Sequence, residues 1–243
     1  MSNDTQKKSW RTCIWLYIKR VFTFLFFFHL AYVLVLRWVD PPITITQLTN
    51  WAAGNGLKRD YVDRGDISAQ AMLAVMASED QLFYEHNGFL WDQILKAMRH
   101  NERKPSKLRG ASTISQQTAK NVFLWQGRSY FRKALEAYFT FLIEIFWGKK
   151  RILEVYLNVI EMGRGVFGIE AAAQYYFSKP SSQLNRIESS LIAAILPSPK
   201  RYKIKPLSNY VAGRARFIQK QMSYIASESG VRVLMRSGAD GTY

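Results

Sequence analysis

Val21 to Leu36 is a run of sixteen residues with no formal charge apart from what His29 can take up. Extended through Arg37, Trp38 and Val39 it reaches 19 residues, close to the roughly 20 that cross a bilayer as a helix. Only Thr23 and His29 interrupt its apolar surface, whereas a core helix of this length keeps a polar stripe. Arg37 lies at the end, where a long cation reaches the headgroups. No A-x-A cleavage site follows, so residues 21–39 are expected to be an uncleaved signal anchor. Lys7, Lys8, Arg11, Lys19 and Arg20 precede the run and no basic cluster follows it directly. Residues 1–20 are therefore expected in the cytoplasm and the rest outside.

This topology divides the charge. The chain has 34 Lys and Arg against 18 Asp and Glu, a net +16. Six of the basic residues and one acid fall in the first 39 positions, so +11 belongs to the exported part. A basic domain facing away from the cytoplasm has no nucleic acid to meet. Anionic lipid or a phosphorylated substrate remains. Cys13, the single cysteine, lies on the inner side, so the exported part has neither a disulfide nor a cysteine-built zinc site.

Pro41 and Pro42 are expected to end the anchor helix. Beyond them the pattern is mainly α-helical. Asp66 or Ser68 can cap a helix through about Ser78. Phe131 to Phe146 sets Leu135, Tyr138, Phe139, Leu142 and Phe146 on one stripe. Further helices are expected over 150–159, 169–177, 188–196 and 210–227, with no run of alternating strands. Residues 40–228 read as one domain and 229–243 as a flexible tail.

Five segments have unusual polar content. Ser78 to Gly88 (SEDQLFYEHNG) puts Glu79 and Asp80 after an apolar helix. Either they close that helix at the surface, or Glu79 sits beside Phe83 in a partly dry cleft and handles a proton. Arg109 to Asn121 (RGASTISQQTAKN) opens a helix with a Thr113/Gln116 capping box. Thr113, Gln116, Gln117, Lys120 and Asn121 then share one face, suited either to water or to sugar hydroxyls and phosphate oxygens. Arg128, Arg132, Lys133 and Glu136 form a surface salt-bridge set or a phosphate site with one balancing acid. Lys150 to Asn158 contains core positions and an i, i+4 pair, Glu154 and Asn158, read as scaffold. Gly168 to Phe177 is rich in alanine and allows close packing. Between the first two segments, apolar Phe89, Leu90, Trp91, Ile94, Leu95 and Met98 give way to Lys96, Arg99, Arg103, Lys104, Lys107 and Arg109. That order fits a flap entering an anionic leaflet, or a buried helix followed by a solvated basic loop. No G-x-S-x-G elbow, phosphate loop or S-x-x-K is present.

In this order the segments resemble the peptidoglycan glycosyltransferase family (glycosyltransferase family 51), in its monofunctional form without a transpeptidase. The matching patterns are EDxxFxxHxG from Glu79, GxSTIxQQ with KN from Gly110 to Asn121, RKxxE from Arg132, ILExYLN from Ile152, and the later GxEAAA and LPSP stretches. They cover roughly residues 60–205. The resemblance implies a lysozyme-like helical domain behind one transmembrane helix. It also implies an inverting transfer that polymerises lipid II, from an undecaprenyl-pyrophosphate-linked glycan to the GlcNAc 4-hydroxyl. Glu79 is then the general base and Glu136 a second catalytic acid, a salt-bridge partner or a ligand of a divalent cation (Mg or Mn). No organic cofactor is expected. Asp80, Phe83, His86, Ser112, Thr113, Gln116, Gln117, Lys120, Asn121, Arg132 and Lys133 are the implied substrate contacts, with Lys120, Arg132 and Lys133 meeting the pyrophosphate. The implied partners are lipid II, the lipid-linked glycan and the membrane, with cell-division or wall-synthesis proteins also open. The implied place is a bacterial inner membrane with a periplasmic catalytic domain. Two other functions compete: a glycan hydrolase of the same fold with Glu79 as acid, and a non-enzymatic anchored scaffold.

Overall fold

The computed structural model describes residues 10–105, 110–127 and 129–235. The chain divides into two units, Met1–Val39 and Asp40–Tyr243. In the first, α1 (Trp10–Val35) runs for 26 residues and is long and apolar enough to cross a membrane. It starts earlier than the expected span, because nothing between Arg11 and Arg20 breaks a helix. It also ends before Pro41: Arg37 and Trp38 already donate to carbonyls three residues back, the tightened last turn of a helix.

The second unit is helical among the described residues, with one small sheet. Its helices are α2 (Ile45–Ala52), α3 (Ala69–Glu79), α4 (Trp91–Arg103), α5 (Ile114–Phe123), α6 (Tyr130–Phe146), α7 (Gly148–Val159), α8 (Ile169–Phe177), α9 (Arg186–Ile195), α10 (Asn209–Ile225) and α11 (Ser229–Met235). β1 (Lys58–Arg59) pairs in parallel with β3 (Val166–Phe167), which pairs antiparallel with β2 (Glu161–Gly163). These pairings are too short to show in a sequence pattern.

α3 is apolar on every side, and Ala71 to Ala77 are all buried. It is the central helix, packed against α9 and α10. Ser68 accepts from the Gln70 amide and starts it. α5 packs on α6 and α7, so the domain brings the end of α3 and the length of α5 together.

Three expectations change. The buried positions of α6 are Arg132, Glu136, Thr140, Leu142 and Ile143; of the expected stripe Leu142 is buried, Leu135, Phe139 and Phe146 are half-buried, and Tyr138 is exposed. Its polar groups satisfy one another, which lets them go inward. α4 has no buried residue, and Trp91, Leu95 and Met98 face outward, so the buried-helix reading of that segment is excluded. Ser229–Met235, expected in a flexible tail, is a helix with Val231 and Leu234 buried. Residues 236–243, and the basic positions Lys107, Arg109 and Arg128, lie outside the described residues.

Candidate active site

The site begins where α3 ends. Glu79 is its last residue, and Asp80 leaves the helix with φ −163°. Successive residues therefore point opposite ways. Asp80 turns inward. Its Oδ2 accepts from the Ile114 amide at the start of α5 (3.0 Å), and both oxygens face His86 Nε2 (3.1 and 2.9 Å). His86 Nδ1 accepts from the Gly88 amide (3.0 Å), so the proton sits on Nε2 and points at Asp80. Gly88 has φ +89°, and a Cβ there would meet Thr140 Cγ2 at 2.7 Å. The loop is thus latched to α5 and α6 at once.

Glu79 turns toward Ser78, Gln117 and Arg214 and stays partly exposed. Oε1 accepts from Ser78 Oγ (3.1 Å) and Oε2 from Gln117 Nε2 (3.0 Å). Arg214 Nη2 lies 3.8 Å from Oε1 and also donates to Ser78 Oγ (3.1 Å). Two neutral donors and a cation face these oxygens, the set that an acceptor-only carboxylate uses. Tyr156 donates to Gln117 Oε1 (3.2 Å), which orients the amide with its NH2 toward Glu79. Burial, helped by the charges of Glu79 and Asp80, raises the Tyr156 hydroxyl far above its ordinary pKa, so it remains a donor.

One turn beyond Gln117 comes Lys120. Burial lowers its pKa, Glu136 opposes that shift, Arg132 and Lys133 add to it, and Glu79 opposes it. Among the described residues Lys120 has no ion-pair partner. Its ammonium is thus desolvated and within electrostatic reach of two carboxylates and two cations. Arg132 and Lys133 are held by Glu136: Arg132 Nη1 meets Oε2 at 2.7 Å, and Lys133 Nζ meets Oε1. Arg132 Nε also donates to the Gly127 carbonyl (2.8 Å). Glu136 is buried, whereas the Lys133 side chain is 48% exposed.

Both oxygens of Glu136 are taken by cations, and no group of three or more His, Cys, Asp or Glu side chains gathers among the described residues. That donor set does not fit a divalent cation held by Glu136. Glu136 is the salt-bridge partner that fixes Arg132.

The expected substrate contacts separate into two groups. Glu79, Gln117, Lys120, Arg132 and Lys133 are brought together, with Ser112 exposed just ahead of α5. Asp80, Phe83, His86, Thr113, Gln116 and Asn121 are buried and bonded within the protein. Thr113 and Gln116 complete their capping box, and Thr113 Oγ1 donates to the Gly88 carbonyl (2.7 Å). Asn121 donates to the Gln117 carbonyl (2.8 Å). Phe83 packs against His86 and under the Lys149 ammonium. These six were expected to touch substrate; in this structure their own hydrogen bonds and packing build the frame of the site. Glu154 and Asn158 are joined as the scaffold pair expected, with Asn158 Nδ2 donating to the Glu154 backbone carbonyl (3.1 Å). Asn158 clasps Val62 through both its amide and carbonyl groups, and Glu154 meets Arg151.

Arg214 was missed. It sits on α10, outside every polar segment of the sequence, and only the packing of α10 on α3 brings it to Glu79. Tyr156 was read as core, and it is, apart from its hydroxyl.

Comparison with known proteins agrees with this geometry. Residues 45–223 match the family model described as Transglycosylase. A biosynthetic peptidoglycan transglycosylase of Aeromonas hydrophila is 49% identical over 197 residues, covering 79% of this chain and 83% of that protein. Proteins of the same description from Salmonella agona and Escherichia coli are each 54% identical over 186 residues, covering 75% of this chain and 77% of theirs. With the family model spanning most of its length and relatives near half identity, the chain belongs to the transglycosylase family.

Proposed function

We propose that this protein is a membrane-anchored peptidoglycan glycosyltransferase that polymerises lipid II into glycan strands. The observation that carries the proposal is the joining of two charge centres by one helix. Gln117 of α5 binds the Glu79 carboxylate, and Lys120, one turn on, faces the Arg132–Glu136–Lys133 cluster. Glu79 takes the proton of the GlcNAc 4-hydroxyl as that oxygen attacks C1 of the donor sugar from the opposite face. The bond from C1 to the pyrophosphate oxygen breaks, and the lipid pyrophosphate leaves with the electron pair. Its charge develops against Lys120 and Arg132, which are already in place and partly dry. A pyrophosphate leaving group needs charge stabilisation rather than a strong general acid.

α1 is the anchor, with the amino terminus in the cytoplasm and the catalytic unit in the periplasm. The outward Trp91, Leu95 and Met98 of α4, beside Lys96, Arg99 and Arg103, support a face turned to an anionic leaflet. The purified protein, incubated with lipid II in vesicles, makes glycan polymer. Shortening of preformed glycan without polymer would instead favour the hydrolase.

A further inference from the structure

α2 is built inside out. Its polar residues face the protein: Thr46, Gln47 and Asn50 are buried. Thr46 Oγ1 accepts from Gln126 Nε2 (2.8 Å), Gln47 Oε1 from Arg59 Nη1 (3.3 Å), and Asn50 Oδ1 from Lys200 Nζ (2.7 Å). Its apolar residues face away. Ile45, Leu48 and Trp51, spaced i, i+3 and i+6, are 41%, 46% and 61% exposed. A helix at a water-facing surface has the reverse arrangement.

Three observations identify what covers this stripe. Ile45 is six positions beyond Val39, so even a fully extended chain holds α2 within about 22 Å of the end of the expected span. The stripe ends in Trp51, an amphipathic ring of the kind enriched at headgroup level. From Pro41 through Arg59 there is no acid, and Lys58 and Arg59 are exposed at its end. An apolar stripe with a basic flank fits an anionic phospholipid surface.

We propose that α2 is an interfacial helix, with Ile45, Leu48 and Trp51 entering the outer leaflet. The proposal rests on the membrane-anchored reading of α1 but not on the chemistry at Glu79. It also has a consequence for that chemistry. Gln126 donates to Thr46 Oγ1 and to Asn121 Oδ1 (3.2 Å), and Asn121 donates to the Gln117 carbonyl. A hydrogen-bonded path thus runs from α2 to the helix that carries Gln117 and Lys120. Seating α2 in the leaflet fixes the height of Lys120 above the headgroups, where a lipid pyrophosphate lies.

The test uses the full chain with Cys13→Ser, spin-labelled at Leu48→Cys or Trp51→Cys, in vesicles containing phosphatidylglycerol. Both labels should collide several-fold more with oxygen than with an aqueous nickel chelate, and a label at the exposed Ser182→Cys serves as a reference. Collision mainly with the nickel chelate would overturn the proposal. So would shielding from both reagents, which would mean a protein partner. Because a label can perturb its site, the combined variant Ile45→Ser, Leu48→Ser, Trp51→Ser provides a second reading. It should raise KM for lipid II about tenfold in vesicles, with kcat little changed, and match the parent in detergent. An equal loss in both media would mean damaged folding rather than lost docking, and would also overturn it.

Discussion

The side-chain amide of Gln117 donates to the carboxylate of Glu79 at 3.0 Å. Its carbonyl oxygen is held by Tyr156, so the amide cannot turn over without losing both bonds. Gln117→Leu keeps the size but removes both, and should lower kcat about a hundredfold, the scale of a misplaced catalytic group. Tyr156→Phe removes one neutral bond of about 1 kcal/mol and should cost roughly fivefold. Steady-state kinetics on lipid II reads both. Equal losses for the two would contradict the ordering argued here.

Arg214 reaches Glu79 partly through Ser78, since its guanidinium donates to Ser78 Oγ while that hydroxyl donates to Glu79. Ser78→Ala and Arg214→Met should each slow polymerisation about tenfold. The double variant should be little worse than either, because residues of one network are not additive. Simple multiplication of the two losses would separate them.

Glu136 and Arg132 are both buried, and their ion pair spans 2.7 Å. Arg132→Ala leaves a buried carboxylate with only the half-exposed Lys133. A broken buried pair costs about 3–5 kcal/mol, so urea unfolding should show a loss near the lower end. Lys133→Ala should cost less in the same measurement, since water screens the half-exposed ammonium and Arg132 still holds Glu136.

Lys120 gives the reaction an alkaline limit. In the proposed reaction its charged form meets the pyrophosphate, and burial lowers its pKa, so the proton is lost below the ordinary lysine range. Glu136 and Glu79 resist that loss, while Arg132 and Lys133 promote it. As pH rises through the lowered value, kcat/KM should fall. In Lys120→Arg, whose guanidinium keeps its proton, that fall should disappear even if the rate at neutral pH is lower. The pH profile of kcat/KM, which reports the free enzyme, is the measurement.

The helices were legible in the sequence because their starts are written locally. Ser68 and Thr113 each cap the helix that follows, and Pro197 and Pro199 lie beyond the end of α9. Glu79, Gln117, Lys120 and Arg132 were legible as candidate site residues because their order along the chain forms a pattern. What the pattern could not separate was lining from frame. Glu79 and Asp80 are neighbours in one motif, yet the extended backbone at Asp80 sends one side chain to Gln117 and the other to His86. The inverted face of α2 and the polar groups buried in α6 were hidden for a related reason. Periodicity finds a stripe but assumes that the apolar side goes inward, and here the buried polar groups supply one another's partners. Arg214 left no local signal, since its role exists only through the packing of α10 on α3.

The central claim is that the Glu79 carboxylate removes the proton of the attacking hydroxyl. Glu79→Gln keeps the volume and can still pair with Ser78, but it cannot take a proton. Lipid II polymerisation should be compared between the parent protein and Glu79→Gln, with folding and lipid II binding checked in parallel. The account predicts polymerisation below a few per cent of the parent, with folding and binding nearly unchanged. Polymer formation at a comparable rate by Glu79→Gln would contradict it.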